Sequence, residues 1–148
     1  MRDSEVKWWS AFHRVLYETT NGVLGRRLVG NDMLLLTTRG RRTGGAHTVP
    51  LLYLREGDRL LVIASYGGRD RHPEWYLNLL AEPAVTARVG DRHMALTART
   101  ASPSERDVWW PKVVAAYGDY AVYQQRTDRE IPIVALEPRG RLPHSVLR

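Results

Sequence analysis

Cysteine is absent from the 148 residues, and lysine occurs only twice. Without a thiol the chain can form no disulfide, thiolate nucleophile or iron–sulfur cluster, and most structural zinc sites are excluded. The five histidines, at 13, 47, 72, 93 and 144, show no HExxH or other ligand spacing, which argues against a metal. No apolar run approaches the roughly 18 to 20 residues that span a bilayer. The charged start MRDSEVKWW lacks the apolar block of a secretory signal, so a cytoplasmic location is expected. Neither GxGxxG nor a Walker A loop is present, which removes the usual pyrophosphate cradles. Internal repeats and low-complexity tracts are also missing.

With 43% hydrophobic residues, the chain can bury one core, and a single domain over residues 1–148 is expected. The net charge of +6 is unevenly placed. Between Arg26 and His72 nine arginines face four acidic residues, a net of +5 in under a third of the chain. Only Lys7 and Lys112 among the 22 basic residues are lysines. Arginine's planar fork suits bidentate grip on phosphate and carboxylate, so an anionic ligand, a nucleic acid or an anionic lipid surface are all partners to weigh.

The hydrophobic periods predict an α+β fold. Ser4 to Tyr17 places Val6, Trp9, His13 and Leu16 at helical spacing. Met33 to Thr38, Thr48 to Arg55 and Arg59 to Ser65 read as three strands of a meander, the last two joined by the tight turn REGDR. A helix is expected from Pro73 to Glu82, where Pro83 stops it, then short strands at Ala84 to Val89 and His93 to Thr100. Ser102, Pro103 and Glu105 form a capping box for another helix, which carries Trp109 toward the core and runs on into AAYGDYAVYQQ. IPIVALEP supplies a last strand. Strands broken by single helices, rather than strict alternation, point to an antiparallel sheet curled into a barrel with helices packed outside.

Two turns stand out. Glycines 40, 44 and 45 free the backbone to wrap successive N–H groups around an anion, and Arg39, Arg41 and Arg42 add charge there. After the third strand come Gly67 and Gly68, then Arg69 and Arg71, leading into a helix N-terminus. Solvated arginines on an ordinary hairpin remain the alternative for the first turn. Two such turns in one meander could face a single anionic ligand.

In order and spacing, LLTTRGRRTG, TVPLLYL, VIASYGGRDRHPEWYLNLLAEPAV and AAYGDYAVYQQRTDREIPIVALEP resemble the deazaflavin-dependent nitroreductase family. The resemblance runs from about Leu34 to Pro138. It implies a split β-barrel like that of the flavin-mononucleotide-binding oxidoreductases, and the 8-hydroxy-5-deazaflavin coenzyme F-420 as cofactor. It also implies hydride transfer from the reduced coenzyme to a quinone or nitroaromatic acceptor. The coenzyme's phosphodiester and glutamate chain would account for the arginines, since a polyanion needs charge-assisted hydrogen bonds along its length.

Carried over by position, Arg39, Arg41, Arg42 and Thr43 match the part of the motif that grips phosphate and the acidic tail. Thr48, Val49, Pro50, Leu51 and Leu52 lie on the strand beside the deazaflavin ring, with the Val49 and Pro50 backbone as contacts. Ser65, Tyr66, Gly67 and Gly68 match the second loop. Relatives often carry lysine where this chain has Tyr66, so Arg69 or Arg71 is expected to substitute. Trp75 and Tyr76 match an aromatic pair at the start of the following helix. Tyr117, Tyr120 and Tyr123 match tyrosines of the substrate side, although a core stripe at that spacing is the plainer reading. Tyr120, Ser65 and Tyr123 are the candidate catalytic residues, polarising the acceptor oxygen while solvent supplies the proton.

The N-terminal EVKWWSAFHRVLY has two readings: a helix closing the barrel mouth, or a peripheral membrane contact through Trp8, Trp9 and Phe12. Rivals to the whole reading are a non-catalytic carrier, or a relative that binds flavin mononucleotide or haem on the same barrel, and a basic nucleic-acid binder.

Overall fold

Runs of β-branched and leucine residues become seven strands in the computed structural model, which describes residues 33–139. The strands are β1 (Met33–Arg39), β2 (Ala46–Leu52), β3 (Leu54–Glu56), β4 (Arg59–Ile63), β5 (Ala84–Val89), β6 (Arg92–Thr100) and β7 (Ile133–Pro138). Among the described residues three α-helices accompany them: α1 (Glu74–Ala81), α2 (Pro103–Ala116) and α3 (Asp119–Gln125). The expected N-terminal helix, its membrane contact, and the tail beyond Arg139 lie outside the described residues. No helix among the described residues is long and apolar enough to cross a membrane.

All strand pairs are antiparallel, in the order β2-β1-β5-β6-β7-β4-β3. The two outer strands of that order, β2 and β3, are separated in sequence by Tyr53 alone. The sheet therefore curls until its two terminal strands meet end to end at one residue. This corrects the expected continuous strand from Thr48 to Arg55. A single straight strand cannot pair with β1 at one end and β4 at the other, so the chain leaves the ladder at the corner. The Tyr53 carbonyl accepts a hydrogen bond from the Tyr117 hydroxyl at 3.1 Å.

Burial explains why the strands read differently in sequence. β5 and β6 alternate buried and exposed positions, whereas Leu60 to Ile63 and Ile133 to Leu136 are buried throughout. Strands covered on both faces lose the period of two. One core cluster holds the inward residues Leu34, Leu36, Val85, Leu96 and Leu136, with Trp75, Tyr76 and Leu79 of α1. The other packs Leu61, Ile63 and Ile133 against Trp109 and Val113 of α2 and Tyr120 and Tyr123 of α3. Trp109 is a core residue, as its helical spacing predicts.

The capping box forms as read: the Glu105 N–H donates to Ser102 Oγ at 3.2 Å, and the Ser102 N–H donates to Glu105 Oε1 at 2.8 Å. Two helical expectations are corrected. Pro73 is the N-cap of α1 rather than its first helical residue, because its backbone is still extended. The helix carrying the tyrosines does not survive Gly118: α2 ends at Ala116, Tyr117 leaves the helical region, and α3 starts afresh.

Strand direction positions the site. From β1 through β5, β6 and β7 to β4 there are four antiparallel steps, so β1 and β4 run the same way. The turns that follow them, the two glycine-arginine turns, leave the barrel at the same end.

Arg99 ties this frame to α2. Its guanidinium donates two bonds to Glu105, at 2.6 and 2.8 Å, and two to Glu137, at 2.8 and 3.4 Å, while Arg59 reaches Glu137 at 3.3 Å. Arg99, followed by the Ser102 backbone, holds the Glu105 carboxyl down to about 2. A depressed carboxyl contributes stability above its unfolded value and loses it as pH falls through the folded one. The thermal midpoint of Glu105→Gln should lie below that of the wild type at pH 7. Melting both proteins across the acid range should show the gap closing between pH 4.5 and about 2.

Candidate functional site: a cationic cleft between two turns

The first turn, Gly40 to Gly45, satisfies its own backbone. The Gly40 N–H donates to the Gly45 carbonyl and the Gly44 N–H to the Gly40 carbonyl, both at 2.7 Å. The Gly45 N–H donates to Thr43 Oγ1 at 3.2 Å, and the Arg41 N–H to Asn78 Oδ1 at 3.2 Å. The expected wrap of successive N–H groups around an anion is therefore corrected, because most of those donors already have partners. What the turn offers instead is side-chain charge.

Arg41 is pinned and Arg42 is not. Arg41 Nη1 donates to Asn78 Oδ1 at 2.8 Å and Nη2 sits 2.6 Å from Glu74 Oε2. Asn78, only 4% exposed, completes its amide by donating to Thr38 Oγ1 at 3.3 Å. Arg42 and Thr43 are exposed. The Arg41 guanidinium holds the Glu74 carboxyl below the usual carboxylate range.

The second turn is unusual in its backbone. Tyr66, Gly67 and Gly68 all have positive φ, at 49°, 66° and 84°. Gly68 is required by packing as well, since a Cβ there would lie 2.6 Å from the Tyr123 carbonyl oxygen. Tyr66 bears the strain of a left-handed conformation that its own side chain disfavours. Its ring gathers two guanidiniums, Arg69 at 4.5 Å and Arg71 at 5.6 Å, and its hydroxyl accepts from Arg71 at 3.4 Å. The Tyr66 ring thus holds two cations beside it.

Arg129 braces this turn from behind. It donates to the carbonyls of Arg69 at 2.7 Å, Ser65 at 2.7 Å and Ala64 at 3.2 Å, and lies 3.0 Å from His72 Nδ1. Burial, then the charge of Arg129, lowers the His72 pKa, so the ring is neutral and Nδ1 can accept. Sequence reasoning missed Arg129, Asn78 and Glu74. Each lies in an element whose pattern speaks only of helix or loop, and nothing in the spacing ties them to the arginine turns.

The two turns meet. A hollow of about 290 Å³ is lined by Arg41, Arg42, Thr43, His47, Glu74 and Asn78, with Gly40 at its back. Beside it a cleft of about 430 Å³ is lined by Arg42, Tyr66, Asp70, Arg71, His72, Leu77 and Arg129, again with Arg41 and Glu74. Arg39 lies elsewhere, with Thr37, Ala46 and Thr86 around a separate hollow of about 200 Å³. Strand geometry accounts for this, since Arg39 is still in the ladder opposite Ala46.

The other sequence-derived residues occupy distinct surroundings. Along Ala46–Leu52, β2 is a terminal strand of the ladder, a place that tolerates Pro50. Thr48 Oγ1 lies 2.8 Å from Thr37 Oγ1, Val49 is half-buried, and Pro50, Leu51 and Leu52 are buried. Trp75 and Tyr76 belong to the barrel core, with the Tyr76 hydroxyl 2.7 Å from Thr100 Oγ1. Ser65, Tyr120 and Tyr123 are buried, at 3%, 2% and 4% exposure. Despite the break at Gly118, the three tyrosines form one edge-to-face row: Tyr117 to Tyr120 at 6.1 Å and Tyr120 to Tyr123 at 6.0 Å. Burial raises the Tyr120 pKa well above the usual phenol value, so its hydroxyl can only donate or accept a hydrogen bond and cannot act as a base.

A curled antiparallel sheet with a charged cleft at one end belongs to the split-barrel class. A Listeria innocua chain described as a pyridoxamine 5'-phosphate oxidase shares this fold with a TM-score of 0.52 at 11% identity, over 78% of this chain and 94% of that one. Within the class the assignment is specific. The family described as F420H(2)-dependent quinone reductase matches residues 9–138, and the chain belongs to that family of oxidoreductases, whose cofactor is coenzyme F-420. A quinone reductase of Mycobacterium tuberculosis (strain ATCC 25618 / H37Rv), named for the same cofactor, is 40% identical over 131 residues, 86% of this chain and 88% of that protein. A solved structure of an F420-H2 dependent reductase superposes with a TM-score of 0.66 at 40% identity, covering 72% of this chain and 94% of that one.

Replacing Arg129 tests the brace. Arg129→Met strips partners from three carbonyls and should destabilise the protein by roughly 2 to 3 kcal/mol, measured by urea unfolding.

Proposed function

We propose that this chain transfers hydride from reduced coenzyme F-420 to a quinone, and that flat nitroaromatic compounds are a second acceptor class at the same place. The observation that carries the reading is that Arg41 and Arg42 of one turn share a single cleft with Tyr66 and Arg71 of the other. The donor set suits the coenzyme. Its phosphodiester and glutamate carboxylates are strong acceptors, and guanidiniums offer paired N–H groups at the right spacing for them.

Arg42 and Arg71, with Thr43 and Arg69, would hold the phosphate and the acidic tail. The β2 segment Thr48 to Leu52 and the turn Ser65 to Gly68 would flank the ring, with Trp75 and Tyr76 as the packed floor beneath that turn. When bound, the reduced deazaflavin supplies the hydride, and a quinone that takes it up becomes a hydroquinone on gaining one proton. The protein's own contribution is position and the exclusion of water, as expected where the cofactor carries the chemistry.

Tyr117, Tyr120 and Tyr123 line the acceptor side in this reading. The Tyr120 hydroxyl, held protonated by burial, donates a hydrogen bond to the acceptor oxygen as negative charge develops, with Ser65 and Tyr123 as further donors. A phenol with so high a pKa gives up its proton poorly. The proton therefore comes from solvent.

Two measurements test this. Arg42→Ala and Arg71→Ala should each weaken coenzyme F-420 binding about tenfold in calorimetry, and wild-type protein should prefer it to flavin mononucleotide. Tyr120→Phe should slow menadione reduction by about tenfold or more at saturating coenzyme. An unchanged rate would take that tyrosine out of the mechanism.

A further inference from the structure

A carboxylate of the chain itself already sits among the arginines of the cleft. Glu74 lines both hollows, as do Arg41 and Arg42. Its Oε2 is 2.6 Å from Arg41 Nη2, and the charges of Arg41, Arg42 and Arg71 all act on it. The Glu74 side chain is 66% exposed, against 21% for Arg41. The carboxylate therefore lies on the open side of the pair, where a ligand would arrive.

We propose that Glu74 is a resident anion that sets how tightly, and with what dependence on tail charge, the cleft holds a polyanionic ligand. The inference rests on the coenzyme reading above and adds a specificity determinant to it.

Arg41 does not need Glu74 to stay in place. Asn78 Oδ1 accepts both its Nη1–H and its backbone N–H, and Asn78 is itself buried and tied to Thr38. That half of the guanidinium is fixed from the protein side. The Nη2 edge is the exchangeable half, and a phosphate or carboxylate oxygen of a ligand can take the place of Glu74 Oε2 there. Glu74 acts in two ways. It satisfies Arg41 when no ligand is present, which removes the cost of a bare cation. It also lowers the positive potential felt by every further negative charge that enters. A long acidic tail meets that second effect more often than a short one.

Because Arg41 holds the Glu74 carboxyl below its ordinary range, it stays charged at neutral pH. The effect operates under working conditions and is screened by salt, as expected for a largely exposed charge.

The experiment compares the full-length wild type, Glu74→Gln and Glu74→Asp by titration with three probes. These are 8-hydroxy-5-deazaflavin carrying only its ribityl chain, coenzyme F-420 with a short glutamate tail, and coenzyme F-420 with a long one. Glu74→Gln should bind the tailed forms about five- to tenfold more tightly at low salt, most for the long tail, and the gain should shrink as salt rises. Binding of the tail-free probe should be unchanged, and Glu74→Asp should behave as wild type. Unchanged or weaker binding of the tailed forms by a folded Glu74→Gln would overturn the inference, as would an equal gain for the tail-free probe. If wild-type protein binds none of the three, the coenzyme reading itself fails. If it binds the tailed forms and Glu74→Gln makes no difference, only the resident-anion inference fails.

Discussion

Crowding guanidinium groups around one cleft is electrostatically unfavourable, and the site depends on how that repulsion is offset before any ligand arrives. Four different partners do this. Arg41 is satisfied by a buried amide and a carboxylate. Arg69 and Arg71 lie over the π face of Tyr66. Arg129 turns inward and spends its donors on three backbone carbonyls. Glu74 takes up part of the remaining field. Arg42 and Arg71 are left as the exposed cations of the set. The cleft is pre-organised in the sense that its charges are held apart by neutral or opposite groups, so a ligand need not first rearrange them.

The same fixing depends on the barrel. An even number of antiparallel steps between β1 and β4 sends both turns out at one end, and the corner at Tyr53 joins the two terminal strands. The second turn is then locked from two sides. Gly68 lies against the Tyr123 carbonyl of α3, and Arg126 reinforces the contact by donating to the Gly67 carbonyl at 3.2 Å. Of the residues read as chemical, Tyr123 lies at this contact, and Tyr120 packs in the same core cluster as Tyr123. Substitutions in α3 would for that reason be felt in the cleft even where they touch no ligand.

How much of this was legible in the sequence varies with the range of the signal. Local signals served well: the capping box at Ser102, the stop before Pro83 and the hairpin turns each reside in a few neighbouring residues. The convergence of two glycine-arginine turns was legible because each follows a strand of one meander. What escaped notice is non-local. The break at Tyr53 arises because one stretch must serve two partners, and no residue type in TVPLLYL announces it. Asn78 reads as one polar residue in an apolar helix, and its role appears only when Arg41, 37 positions away, folds onto it. The glycines of the first turn misled for a related reason: they allow the backbone to surround an anion, but they equally allow it to bond to itself, and here it does.

Excess positive charge by itself fits a nucleic acid as well as a coenzyme, so the arrangement has to decide. A duplex or strand is met by cations spread along a surface at the spacing of phosphates, each free to neutralise one. Here the arginines converge on a concavity of about 430 Å³, the size of a small-molecule pocket, and several of them are committed to internal partners. A carboxylate at the focus of such a cleft would repel a uniform polyanion at its point of closest approach. It is tolerable for a ligand whose negative charges are few, spaced along a chain, and attached to a neutral ring that gains its binding elsewhere. The position of Glu74 thus favours a tethered, moderately anionic cofactor over an extended polyphosphate backbone.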